Sequence, residues 1–433
     1  MRITRKLKSP LAISSAVFVA VAICATGTSV ANATNNSHHG HNGHGDWFTT
    51  WAQSQQALAN TTLTNQSVRM ITHLSQGGDS LRIRIQNQFG TGPITIDSVA
   101  VGLSDNTVRV IPGTSRNVTF PGNHDGSVTV AAGSDAWSNP VKIHTRPQDD
   151  IAVSMYVAGS VTPGQHNGAR RDNYVTPAGS GNHVSESSGA SYTEVVTSTY
   201  FVSAVDVHNP RLLGTIVPYG SSVVDGTGST NCGPGCTITG NNQRWTDDLA
   251  RRIVNELPAN QQFTVANEGI GGTTSSAECV DEPDRDKGLE ANPRLDRDVL
   301  ALHGVTAVLY YYGTNDIQDH CTADQILSSY QEAFKRLHQA GIKVYVTPIT
   351  PRPIYDDQMN VYRHAVNRVV SQYSNCSNMC DGIFDFDRVI QDDLNPNAIN
   401  LAYDNGDGIH ANIDGQQHEA DTIGLQLLVA SAR

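Results

Sequence analysis

The chain reads as two architectures in succession: an all-β sandwich or jelly roll, then an α/β domain built on a five-stranded parallel sheet. Three observations lead there. From Trp47 to about Asn209, short runs alternate apolar and polar residues between Gly, Pro and Asn turns, with no long helical period. From about residue 213, apolar runs of strand length alternate with amphipathic helical segments, the pattern of parallel strands joined by right-handed crossovers. With 433 residues, the chain is also long enough for two cores.

Residues 1–33 resemble an export signal. Arg2, Arg5, Lys6 and Lys8 make a basic start, residues 11–25 an apolar middle, and Ala31-Asn32-Ala33 a small-residue cleavage site. Ser14 and Ser15 interrupt the apolar part, which is too short for a membrane anchor, and no later stretch is apolar enough to span a bilayer. A secreted, extracellular protein is expected. Cleavage removes four positive charges and no negative one, taking the formal net charge from -12 to -16. So acidic a chain repels phosphate backbones, and nucleic acid is excluded as a partner. Residues 34–46 carry His38, His39, His41 and His44 in a Gly/Asn-rich setting, which reads as a flexible linker rather than a metal site.

Residues 47–209 form the expected β region. Alternation is clearest over 67–74 and 80–86, and recurs around 94–101, 127–130, 141–144 and 151–157. Each strand should bury one face and leave its polar residues in solvent. No catalytic constellation is visible here; packing beside the second domain, or attachment to a polysaccharide, are the roles considered. Residues 203–212 read as the connector.

In the second domain, 210–433, strands are expected at 213–218, 263–267, 305–312, 343–347 and 382–386. Between them lie helical segments at 244–257, 294–302, 323–340 and 359–373, with a last helix from about Asp414. The 323–340 segment has Ile326, Leu327, Tyr330, Phe334 and Leu337 as its apolar stripe and stops at Gly341. A parallel sheet covered on both faces places ligands at the carboxyl ends of its strands. Six cysteines follow the cleavage site, all after residue 210: Cys232, Cys236, Cys279, Cys321, Cys376 and Cys380. An even count in an exported chain suggests disulfides, and the close spacings suggest Cys232 with Cys236 and Cys376 with Cys380, leaving Cys279 with Cys321. A zinc site from the two Cys-x3-Cys pairs is the competing reading.

Four loops carry the chemistry. Ser222 follows the first strand in Gly220-Ser221-Ser222; Gly271 and Gly272 follow the second; Asn315 lies in Gly313-Thr314-Asn315-Asp316 after the third; Asp407 and His410 precede the last helix. A serine hydroxyl needs an adjacent base, for which His410 is the candidate, and Asp407 three residues upstream can orient that imidazole. Backbone N–H groups of Ser222 and Gly272, with the Asn315 amide, are candidate donors to a developing oxyanion. Ser222, Asp407 and His410 therefore form an expected triad needing neither metal nor organic cofactor. The glycines at 269, 271 and 272 lack the third spaced glycine of a dinucleotide fingerprint. Val224 likewise removes the second glycine of a Gly-x-Ser-x-Gly elbow.

These blocks, from about residue 213 to 429, resemble the SGNH (GDSL-type) hydrolases. The surrounding stretches at 295–300 and 384–387 resemble a secreted branch related to acetylxylan-type esterases, whose members carry a β-rich domain before the hydrolase. The resemblance implies a flavodoxin-like three-layer α/β/α fold. It also implies a serine esterase acting through an acyl-enzyme, with short acyl esters on a polysaccharide as first choice. A lipase or arylesterase of the same family, or a weakened polysaccharide-binding relative, are the alternatives. Two positions depart from the family: Ser221 stands where aspartate is usual, and Ala411 where proline follows the histidine.

Overall fold

The computed structural model describes residues 45–123, 125–279, 288–372 and 375–432. The expected export signal 1–33 and the linker as far as His44 lie outside them, as does Tyr373 at the end of the expected fourth helix. The described residues fall within one compact unit.

Two large antiparallel sheets make up most of the β region, with a three-stranded and a two-stranded antiparallel sheet beside them. One large sheet runs Trp47–Ala52, Val202–His208, Ser80–Asn87 and Val141–Lys142, with Ser134–Trp137 also on Ser80–Asn87. The other is centred on Leu63–His73 and Asp150–Val161, paired from His73–Asp150 to Leu63–Val161 with a bulge between Val157 and Ser160. Leu81, Ile83 and Ile85 of the first sheet share a core with Val68, Met70, Val153 and Met155 of the second. That face-to-face contact makes a sandwich, with residues two apart pointing inward.

Two expectations are corrected. Residues 203–208 are not a connector, because Val202–His208 is an inner strand bonded on both sides. Nor are the polar faces solvated throughout: Thr95 and Thr129 are exposed, but Arg69, Arg84, His166, Asn173 and Asp206 are all buried. The first sheet turns its Arg84 and Thr49 side toward the α/β part, where Arg84 donates to the Arg297 carbonyl (3.2 Å) and Thr49 N–H to that of His303 (3.1 Å). Buried polar side chains need partners: Arg69 and Asn173 find theirs within the β region, at Ser154 and the Ser198 carbonyl, whereas Arg84, His166 and Asp206 reach Arg297, Asp225 and His303 across the contact.

The parallel sheet has the spatial order Phe263–Val265, Gly214–Gly220, Val305–Tyr311, Lys343–Val346, Gly382–Ile383. In chain order this is 2-1-3-4-5, the flavodoxin-like arrangement, with its switch point between the first and third strands. Alternate residues feed two cores. Val217, Tyr219, Val308 and Tyr310 pack with Ile326, Tyr330, Phe334 and Leu337, from the helix Ala323–Gln339. Ile216, Leu309 and Tyr311 pack with Trp245, Leu249 and Ile253, from the helix Trp245–Glu256. Helices on both faces give three layers.

The segment expected as one helix over 294–302 is instead Ala291–Leu295 running into a wider turn, Asp296–Leu300. The last helix, Ile413–Thr422, breaks before a second, Leu425–Ser431. The cysteines pair as spacing suggests, 232 with 236, 279 with 321 and 376 with 380, at Cα separations of 5.2, 5.4 and 5.3 Å. These lie in the disulfide range, and each Cys-x3-Cys pair closes on itself rather than on a shared ion.

Candidate active site

The strand Gly214–Gly220 ends at Ser221 and turns at once into a single helical turn, Ser222–Asp225. Gly220 is required there: a Cβ would lie 2.3 Å from the Tyr311 carbonyl oxygen of the neighbouring strand. The carbonyls of the turn are individually tied. Trp245 Nε1 donates to Val223 O (2.9 Å), Asn267 Nδ2 to Val224 O (2.6 Å) and Arg244 Nε to Asp225 O (2.8 Å). Side chains from two other segments thus hold the serine turn by its backbone.

Ser222 Oγ lies 2.9 Å from His410 Nε2, and His410 Nδ1 lies 2.8 Å from Asp407 Oδ2. Asp407 Oδ1 also accepts from the N–H groups of Ile409 (2.8 Å) and His410 (2.9 Å), so the carboxylate folds its own loop around the imidazole. Burial opposes its charge, but the His410 ring and these N–H groups hold it down at about 2. The His410 ring sits below the ordinary histidine value: burial lowers it most, Asp407 opposes, and Arg352 and Arg170 lower it further. At neutral pH the histidine is therefore a free base facing the hydroxyl, as proton abstraction requires.

The second loop begins at Glu268–Gly269, which pairs beside Tyr219 and Gly220. Gly272 has φ +81°, a left-handed conformation that favours glycine. Among the described residues, neither the Ser222 nor the Gly272 N–H donates to a protein acceptor. Asn315 donates from Nδ2 to Thr273 O (2.8 Å) and accepts at Oδ1 from Arg352 Nη1 (3.0 Å). That second bond fixes which end of the amide is which, leaving one Nδ2 proton for a ligand. Asp316, fully buried, takes the Ser275, Ser276 and Gly313 N–H groups and so binds the third loop to the second. Desolvation raises it to about 6, against those hydrogen bonds.

All five expected site residues thus lie at the carboxyl edge of the sheet, Ser222 and Asn315 on the short helical turns Ser222–Asp225 and Thr314–Gln318, and Gly272, Asp407 and His410 on loops. The Ser221 hydroxyl, where the family aspartate is usual, is buried and has no hydrogen-bond partner among the described residues. Ala411, where the family usually has proline, is buried, and its carbonyl oxygen would lie 2.1 Å from a Cβ on Gly228.

Sequence reasoning missed four residues. Arg352 has no motif; it is recognisable only by its contact with Asn315. Arg294 gathers the ends of three strands, donating to Gly220 O (2.9 Å), Glu268 O (2.8 Å) and Tyr312 Oη (2.5 Å), with its guanidinium 4.3 Å over the Tyr219 ring. His166 and Arg170, from the β region, both contact Asp225. Of these, only Arg294 lay near a stretch carrying the family resemblance. Among the described residues, no His/Cys/Asp/Glu cluster suited to a metal ion is present.

Residues 219–418 match the sequence model of the GDSL-like Lipase/Acylhydrolase family. No curated protein matches the chain. Among solved structures, a carbohydrate acetylesterase from Sinorhizobium meliloti is similar at 19% identity, covering 50% of this chain and 99% of its own, with a TM-score of 0.37. An aryl esterase from M. smegmatis is similar at 19% identity, covering 48% and 95%, with a TM-score of 0.37. An acetyl-xylooligosaccharide esterase from Geobacillus is similar at 15% identity, covering 51% and 94%, with a TM-score of 0.36.

Proposed function

Since residues 219–418 constitute a GDSL-like lipase/acylhydrolase domain, an ester hydrolase, we propose that this chain is a secreted serine esterase that removes short acyl groups, acetyl first, from a polysaccharide. The observation that carries the reading is the continuous relay from Ser222 Oγ through His410 to Asp407, at 2.9 and 2.8 Å. Ser222 Oγ attacks the ester carbonyl while His410 Nε2 takes its proton. The tetrahedral oxyanion is met by the Ser222 and Gly272 N–H groups and Asn315 Nδ2, and His410 returns the proton to the departing alcohol. Water activated by the same nitrogen then releases the acid and regenerates the serine.

Beside the Asp407 loop runs an open groove lined by Thr230, Asn231, Thr237, Asp404, Asn405 and Asn412, among others. Asn405 reaches Asp407 itself, at 3.4 Å. The lining also includes Cys232, Pro234, Leu401 and Ile413, but its hydroxyl and amide groups are able to hydrogen-bond a hydroxyl-rich alcohol, which supports a sugar ester. Export rests on the signal-like residues 1–33 and on three cysteine pairs in disulfide register.

The test is release of acetate from acetylated xylan, beside hydrolysis of p-nitrophenyl acetate, butyrate and laurate, by the chain and by Ser222→Ala. Deacetylation and acetate-ester turnover that vanish in the variant support the reading. Preference for laurate replaces it with a lipase; no turnover on any of the four refutes it. Amino-terminal sequencing of protein from culture fluid, expected to begin at Thr34, checks export.

A further inference from the structure

The β region reaches the serine turn through one buried cluster. His166, at the end of the strand Gly164–His166, is 1% exposed and places Nε2 3.0 Å from Asp225 Oδ1. Its Nδ1 lies 2.9 Å from the Ser54 carbonyl oxygen. A carbonyl only accepts, and so does a carboxylate, so the ring is clamped between two acceptors. Arg170, held at φ +59°, sends Nη2 to Asp225 Oδ2 (3.1 Å) and to Thr227 Oγ1 (2.6 Å). Arg244 adds a backbone tie, bonding Ala169 O and Asp225 O, each at 2.8 Å.

Asp225 is the last residue of the turn that begins with Ser222. Its Oδ2 lies 4.0 Å from where a Cβ on Gly271 would stand, directly against the loop that presents the Gly272 N–H. Burial opposes its charge, yet His166, Arg170 and Arg244 hold the carboxyl below its ordinary range, so it is ionised. An uncompensated carboxylate there would repel the oxyanion forming beside Ser222 and Gly272, in a setting of low dielectric.

We propose that the β region is a working part of the active site: His166 and Arg170 are positioning residues that neutralise Asp225 and so keep the Ser222 turn and the Gly271–Gly272 loop fit to stabilise negative charge. The inference rests on the ester-hydrolase reading of Ser222. It gives the β region a role in catalysis rather than in attachment alone.

Steady-state kinetics of the full chain on p-nitrophenyl acetate, with thermal unfolding of each variant, test it. His166→Gln keeps a neutral donor for Asp225 and removes the imidazole; Arg170→Gln alters a side chain that is 26% exposed. Each is expected to lower kcat on the order of 10-fold, with KM within about twofold. His166→Gln/Asp225→Asn should be faster than His166→Gln alone, because the stranded carboxylate is gone; a merely structural contact would make the double variant slower still. Two results overturn the proposal: kcat within twofold of the parent in both single variants, or a double variant no faster than His166→Gln. Ser222→Ala separates the two levels. If it retains the parent's turnover, the ester-hydrolase reading falls; if it is inactive while the cluster variants behave as the parent, only this inference falls.

Discussion

Replacing Arg352 by methionine tests the oxyanion site through the residue that holds the Asn315 amide by its Oδ1. Arg352 is 2% exposed, and its Nη1 is shared between Asn315 Oδ1 (3.0 Å) and Gln318 Oε1 (2.8 Å). Methionine keeps most of the length and removes the donor. Both acceptors then face an apolar chain, at a cost of about 1–3 kcal/mol for each that stays unpaired. Turning the Asn315 amide over takes Oδ1 out of that apolar site but breaks the Nδ2 bond to Thr273 O (2.8 Å). The same turn aims Oδ1 at the forming oxyanion, where repulsion replaces attraction. Full loss of one oxyanion donor costs about 3–4 kcal/mol, or roughly 10²–10³ in kcat, which is the ceiling set by Asn315→Ala. Arg352→Met should lie near roughly 10², with KM little changed. A second effect follows from charge. Arg352 is among the groups holding His410 below its ordinary value, so its removal raises the histidine. Because His410 must be unprotonated to act, the acid limb of kcat/KM moves to higher pH in the variant. The assay is p-nitrophenyl acetate hydrolysis from pH 5 to 9, with the Asn315→Ala/Arg352→Met double variant beside both singles. The reasoning fails if kcat stays within twofold, if the double variant loses the product of the two single losses, or if the acid limb does not move.

Three further outcomes are expected. Asp407→Asn should leave the fold intact and lower kcat about 10³–10⁴-fold, because an amide can leave His410 in the wrong tautomer; initial rates at pH 8 decide it. Gly272→Ala meets no atom within 4 Å at its new Cβ, so any loss comes from φ +81°: about 1–2 kcal/mol of stability by urea unfolding, with kcat falling as the N–H swings away. Glu419, fully buried, is pushed by desolvation up to about 8, with Tyr311 Oη its neighbour at 3.4 Å. Its folded value lies above the unfolded one, near 4.3, so the folded protein loses stability as pH rises between them, by on the order of 5 kcal/mol in all. Glu419→Gln removes this loss, and relative to the parent it should gain in urea midpoint between pH 5 and pH 9; an unchanged difference would refute the assignment.

The five parallel strands and the long helices were legible in the sequence because each is a local pattern. An apolar run such as 305–312 has to be a buried strand wherever it sits, and the stripe on Ala323–Gln339 needs a core on one side only. The five residues of the expected site were legible for a related reason: each directly follows a strand or precedes a helix, so sheet topology alone brings their loops to one edge. The polar side chains of the β region were not legible. Arg84 looks like any outward residue of an alternating strand until the α/β part covers that face, and His166 and Arg170 carry no motif at all. Their partner Asp225 is more than fifty residues away in sequence, and Ser54 and Glu268 meet across a gap of over two hundred. Periodicity reports which side of an element is apolar, a property of a few consecutive residues. Which buried charge neutralises which depends on chain segments brought together only by folding, and for this protein that pairing decides how the serine turn is held.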